Sequence, residues 1–297
     1  MKNPFSIYDF LGYLFPGILF VLMLLEVFTD KDILSIDSLL DSGQAVKLSL
    51  ESYFLFVIIS YVAGHIVAYV SSLLVEDFAN RIFGYPSKYL LHKENATIKD
   101  MWMRYFGTSV STGNNFTKRI IKWAKIGLKG IIFLLLLPVT LSVFTIGYLF
   151  EINDFITRPL NDYLIDAIKE KTKKLANDLK IINGDLPADA DNHRFVMHYA
   201  FINVKECQPK VGNYIALYGF LRCMSLLACI LFDYLLIKGL LSINVHYDFD
   251  WYAILRIFSS FLTAYILFLG FVKFYRRNTL EDYMTILVEK NEKILNG

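Results

Sequence analysis

Arg222, Ser225, Cys229 and Asp233 recur at intervals of three and four residues inside an apolar stretch. At about 100° per residue they fall within about 80° of one another, along about 16 Å of helix. Arg256, Ser259, Ser260 and Thr263 repeat the pattern in the next apolar stretch. Ionisable residues in membrane segments mark a bundle interior or a water-filled cavity. The chemistry these two stripes could do is therefore the passage of charge, not bond making. If the two stretches form an antiparallel hairpin, Asp233 and Arg256 come within about 6 Å along the axes, and an ion pair between them is expected. Arg222 has no acid near it on that hairpin, so lipid phosphate or water is its expected partner. The plainer alternative is that each arginine snorkels to a headgroup.

A second set lies near the N-terminus. His65, flanked by Tyr61 and Tyr69 at intervals of four, titrates near neutrality and could relay protons, or else join helices as a buried hydrogen-bonding residue. Ser60, Gly64, Ala68 and Ser72 form a small-residue face of the kind that lets helices approach closely in lipid; it reads as a packing face between subunits or within the chain, and self-association through it is expected. Asp189, Asp191, His193 and His198 cluster in sequence, but their spacing fits no zinc or calcium loop, so no metal and no cofactor are expected. Three cysteines form no CxxC pair. Walker A, GxGxxG, GxSxG and HExxH patterns are absent, and the reading is of a protein that is not an enzyme.

The elements that must position these residues follow from composition. Of 297 residues, 55% are apolar and only 20% charged, with a mean hydropathy of +0.44, which excludes a disordered chain. The net charge of +2 gives no global basic excess, and no nucleic-acid partner is expected. The apolar residues gather in five runs about as long as a helix needs to cross roughly 30 Å of hydrocarbon: Phe10 to Phe28, Ser52 to Val75, Gly130 to Phe150, Tyr214 to Ser242 and Trp251 to Val272. The predicted fold class is all-α: a multi-pass transmembrane helical protein with soluble helical insertions. Its divisions are residues 1–75 (two membrane helices and an acidic external loop), 76–129 (a basic cytoplasmic loop), 130–150 (the third membrane segment), 151–213 (a soluble helical insertion), 214–272 (the polar-striped hairpin) and 273–297 (a C-terminal helix).

Lysine and arginine near span ends are retained in the cytoplasm. Residues 76–129 hold ten basic residues against four acids, and the connection from Glu26 to Glu51 holds six acids against two lysines. The first is expected inside and the second outside. Lys273, Arg276 and Arg277 also call for the cytoplasm, yet three further crossings after residue 129 would put them outside. One segment must break the pattern. The charged fourth, holding Arg222, Asp233 and Lys238, is the cheapest candidate to be re-entrant or interfacial; the proline-containing third, with no charge in its length, is the less favoured one. The basic run after Asp100, with no acid until Glu151, reads as a retention signal and headgroup contact. In residues 151–213, Leu160, Leu164, Ile168, Leu175, Leu179 and Ile182 make an amphipathic stripe that needs a partner.

The opening Ser6-Ile7-Tyr8-Asp9-Phe10-Leu11-Gly12-Tyr13 through Pro16-Gly17, together with Tyr218-Gly219-Phe220-Leu221-Arg222 and Tyr275-Arg276-Arg277, resembles uncharacterised bacterial multi-pass inner-membrane proteins, some associated with phage defence. The resemblance implies the bacterial inner membrane and allows a role as a defence effector; it carries no site residues. The function expected is a self-associating inner-membrane protein, in contact with lipid, with a polar pathway along His65 and the two stripes that could conduct ions. The alternative is a non-conducting scaffold whose cytoplasmic helices recruit a soluble partner.

Overall fold

The computed structural model describes residues 9–29, 50–92, 97–107, 116–181, 192–205, 208–243 and 251–289. Among them the chain is all-helical. A π-helical turn, Phe10–Leu14, leads into α1 (Phe15–Thr29). The second apolar run is α2 (Leu50–Ser71), extended by another π turn, Ser72–Glu76, and by α3 (Asp77–Phe83). Gly84, at φ 81°, breaks this helix, and α4 (Pro86–Tyr89) restarts it with proline in its first turn, where the missing N–H costs nothing. The next helix, α5 (Ile98–Phe106), begins at a capping box: the Asp100 N–H donates to the Thr97 hydroxyl while the Thr97 N–H donates to the Asp100 carboxylate. There follow α6 (Phe116–Leu135), α7 (Leu137–Phe144), α8 (Ile146–Leu149), α9 (Ile152–Ile156), α10 (Asp162–Asp178), α11 (Asn192–Asn203), α12 (Gln208–Ile243) and α13 (Trp251–Val288).

Among the described residues four helical stretches are long and apolar enough to cross a membrane, Phe10–Phe28, Glu51–Tyr89, Gln208–Leu241 and Trp251–Val288, or five if the bent pair at residues 120–149 is one span. The fourth apolar run, expected to be the one that fails, is instead part of the unbroken 36-residue α12, and it packs along its whole length against the 38-residue α13. At 1.5 Å per residue these helices are about 54 and 57 Å long, roughly 25 Å more than hydrocarbon requires. The surplus is at one end, where the tail anticipated as a separate helix simply continues α13.

The third run is the one that breaks. Residues 120–135 and 137–149 meet at 91° across Leu136, whose backbone leaves the helical region (φ −98°, ψ 27°) just before Pro138. Proline has no N–H to close the ladder and its ring crowds the preceding turn. A freed carbonyl in an apolar setting must be satisfied locally. Thr140, fully buried, reaches one that the break leaves open: its Oγ1 lies 3.1 Å from the Phe133 carbonyl, and 3.2 Å from that of Leu137 in its own helix. Both legs of the bend return to the same neighbours. Phe133 before it and Phe144 after it each pack on Trp102, and Tyr105 donates to the Lys129 carbonyl at 3.0 Å.

The chain after the bend therefore rejoins the end it came from. Leu160 N–H donates to Leu90 O (3.1 Å), Arg276 Nη2 donates to Arg158 O (2.7 Å), and Tyr283 OH donates to Ser87 O (3.4 Å). The stripe of α10, with Ile168 and Leu175 buried, finds its partner in α13, and α11 packs there too. Lys210 pairs with Glu281 at 2.7 Å and Tyr199 donates to Glu289 at 3.0 Å. The basic loop, the 151–213 insertion and the continuation of α13 thus form one module at one end of the bundle.

Thr140→Val keeps the shape and removes the donor. It is expected to lower stability by about 1–3 kcal/mol, the cost of an unsatisfied buried polar group, as read by unfolding of the detergent-solubilised protein; Thr140→Ser should retain most of the stability.

Candidate functional site

One cluster of polar residues forms where α2 passes α12. The guanidinium of Arg222 forms an ion pair with Glu76. Its Nε donates to Ser71 Oγ at 3.1 Å and its Nη2 to the Ala68 carbonyl at 3.3 Å. Ser72 Oγ donates to the Glu76 carboxylate at 3.2 Å, and Ser71 Oγ sits 3.4 Å from Cys223 Sγ. The expectation that Arg222 has only lipid or water to bind is corrected: its acid comes from another helix. The cause is the π turn over Ser72–Glu76, whose wider i→i+5 ladder turns Glu76 onto the face already formed by Ala68 and Ser71. Sequence reasoning placed Glu76 in a loop. The signal that could have found it is the absence of any helix breaker between Val75 and Gly84.

The expected partner of Asp233 is also corrected. Among the described residues no ion pair joins Asp233 to Arg256: Asp233 is half-buried on α12, and Arg256 is exposed on α13. The two stripes share no surface. Ser225 and Cys229 are wholly buried; the Ser225 hydroxyl donates to the Ala264 carbonyl at 3.1 Å, and Cys229 lies in the same dry cluster as Val139 of the bend. Ser259 and Thr263 are exposed on the outer side of α13, whereas Ser260 is buried and donates to the Ile257 carbonyl at 2.8 Å. The helical arcs read from the sequence are real, but one is spent on packing and the other faces outward.

The small-residue face is filled from within the chain. A Cβ on Gly64 would fall 1.9 Å from the Tyr13 carbonyl oxygen, and one on Gly17 would fall 1.8 Å from that of Ser60. Ser60 and Gly64 are accordingly buried against α1, Ala68 is half-buried in the cluster around Cys223, and Ser72 serves Glu76. Within the chain the face packs α2 against the α1 entry. His65 is not buried: it is exposed on α2, stacked on the Tyr13 ring (centroids 3.8 Å apart) and edge-on to Tyr61 (4.7 Å).

In the module at the basic end, His193 Nε2 lies 3.2 Å from the carboxylate of Asp282, which is almost wholly buried, with the Tyr283 ring beside it. This pair ties α11 to α13. Asp189, Asp191 and Cys207 lie outside the described residues, and no group of three metal-ligating side chains occurs among the described ones. Outside the apolar spans, burial pushes the Tyr105 hydroxyl up to about 12, consistent with a neutral donor to Lys129.

Comparison with known proteins returns no match: no family model, curated protein or solved structure is significantly similar to the chain.

Two substitutions test this arrangement. Arg222→Leu leaves Glu76 without its cation and is expected to cost about 3 kcal/mol, whereas the double variant Arg222→Leu/Glu76→Leu should recover to within about 1 kcal/mol of the parent, because removing both charges also removes the desolvation cost. Gly64→Val forces α1 away from α2 and should cost about 3 kcal/mol by overpacking. Both are read by denaturant titration in detergent micelles.

Proposed function

We propose that the protein is a non-conducting membrane scaffold. It crosses the cytoplasmic membrane four times, with its third apolar segment re-entrant, and holds a helical module on the cytoplasmic face to recruit a soluble partner. The observation that carries this reading is the use made of the polar stripe on α12. Ser225 and Cys229 are sealed in side-chain packing, and Arg222 is consumed by Glu76, so the three leave no wetted line through the bundle. Conduction needs such a line.

The topology rests on charge. With a re-entrant third segment, residues 76–129, residues 151–213 and the Lys273 to Arg277 cluster all share one side, and the acidic connection from Glu26 to Glu51 takes the other. The conflict present with five crossings disappears with four. The parts of α12 and α13 beyond the hydrocarbon then act as a stem. Joined by Lys210–Glu281 and clasped by α10 and α11, they set the module at a fixed height above the membrane.

One observation favours the other reading, a self-associating polar pathway. Asp233 and Arg256 make no ion pair among the described residues, and ionisable groups in hydrocarbon seek partners. Copies meeting along α13 could supply them.

Liposomes containing the purified protein separate the two. The scaffold predicts no ion leakage above the protein-free background, no effect of Asp233→Ala or Arg256→Ala, and no reaction of Cys229 with a charged methanethiosulfonate in a Cys207→Ser/Cys223→Ala background. Leakage that either substitution alters, with Cys229 labelled, would establish the pathway instead.

A further inference from the structure

Helix α6 is amphipathic in a way the scaffold does not explain. Lys122, Lys125 and Lys129 fall within about 60° of arc, while Ile120, Ile121, Trp123, Leu128, Ile131 and Leu134 occupy about 160° centred on the opposite side. All six apolar side chains are exposed, Trp123 at 67% and Ile131 at 65%. The helix is held at Lys129, whose Nζ donates to the Gly107 carbonyl at the end of α5 (3.3 Å) and whose carbonyl accepts from Tyr105 OH. Among the described residues these six side chains are left uncovered. The segment also contains Lys118 and Arg119, and no acid occurs anywhere from residue 101 to 150.

We propose that α6 is an interfacial helix that binds the anionic lipid surface of the leaflet facing the basic end, with its apolar face in the acyl boundary and its lysines among phosphates. Two observations choose lipid over a protein groove. The helix runs without a break into the apolar re-entrant bend, so its C-terminal end is already at membrane depth. Its charge is also wholly cationic, complementary to acidic headgroups, with a tryptophan at the boundary where amphipathic rings settle. The arrangement explains the right angle at Leu136: an in-surface helix must turn to send α7 against α12 and α13. The inference rests on the topology above only for which leaflet is named, and vesicles of symmetric composition remove that dependence.

The test uses the full chain carrying Trp102→Phe and Trp251→Phe, which leaves Trp123 as the sole tryptophan, reconstituted with phosphatidylcholine alone or with added phosphatidylglycerol. Lipids brominated at shallow acyl positions should quench Trp123 more strongly than lipids brominated deep in the chain, and aqueous iodide should quench it weakly. Brominated phosphatidylglycerol should quench in preference to brominated phosphatidylcholine, and Lys122→Gln/Lys125→Gln should reduce that preference by about fivefold per lysine. Circular dichroism of each variant confirms that the helices persist. Efficient iodide quenching with no bromine effect would overturn the proposal and leave a soluble protein as the occupant; bromine quenching indifferent to headgroup charge and to the lysines would overturn the anionic recognition. A scaffold that leaks ions but passes this test would refute the proposed function and leave the lipid site standing.

Discussion

The chain turns back at Leu136–Pro138, and the rest of the architecture depends on that turn. An apolar run of 21 residues without a charge would ordinarily continue across the hydrocarbon, since every interruption of the helical ladder exposes a polar group that lipid cannot satisfy. Here proline removes one ladder bond, Leu136 opens the backbone to 91°, and the buried hydroxyl of Thr140 meets the Phe133 carbonyl that the break leaves open. The bend is stable because its tip lies in a closed apolar cluster between α12 and α13, where Val139, Leu136 and Cys229 are inaccessible. The chain that follows residue 150 is thereby delivered to the end where Ser87 and Leu90 lie.

That delivery gives the long helices their form. A helix that only crossed the membrane would need about 20 residues; α12 and α13 have 36 and 38, and the end of α13 is the core on which α10, α11 and α4 pack. At the level where the stem leaves the apolar region, Arg222 and Glu76 bind α12 to the end of α2. The pair contributes position more than stability, because desolvating two charges offsets most of their attraction. The close crossing of Gly17 over Ser60 and of Gly64 over Tyr13 fixes α1 on the same two helices.

Much of this was legible in the sequence. The five apolar runs, the all-helical class, the hairpin of α12 with α13 and the stripe of α10 follow from length and periodicity, which survive folding unchanged. What the sequence concealed were partners. Charge penalties assume a residue at the bilayer centre without a counterion, so Arg222 made α12 look like the weak span; Glu76, one residue past an apparent boundary, removes the penalty. The third run looked secure, with the second, for the converse reason: hydropathy registers side chains, and its defect is in the backbone. The spacing of Ser60, Gly64, Ala68 and Ser72 correctly marked a close approach but could not say that the approaching helix is α1 of the same chain. The polar arcs at Arg222–Asp233 and Arg256–Thr263 were correctly drawn, and their orientation relative to one another was beyond what periodicity contains.

The central claim, that residues 151–213 lie on the same side of the membrane as residues 76–129, is tested most directly by labelling an exposed position of α11. Ile202→Cys in a Cys207→Ser background, expressed in sealed right-side-out vesicles and treated with an impermeant maleimide, should remain unlabelled until the membrane is permeabilised; Ser87→Cys should behave identically. Labelling of Ile202→Cys in intact vesicles, with Ser87→Cys still protected, would mean that the third segment crosses, and would contradict the account.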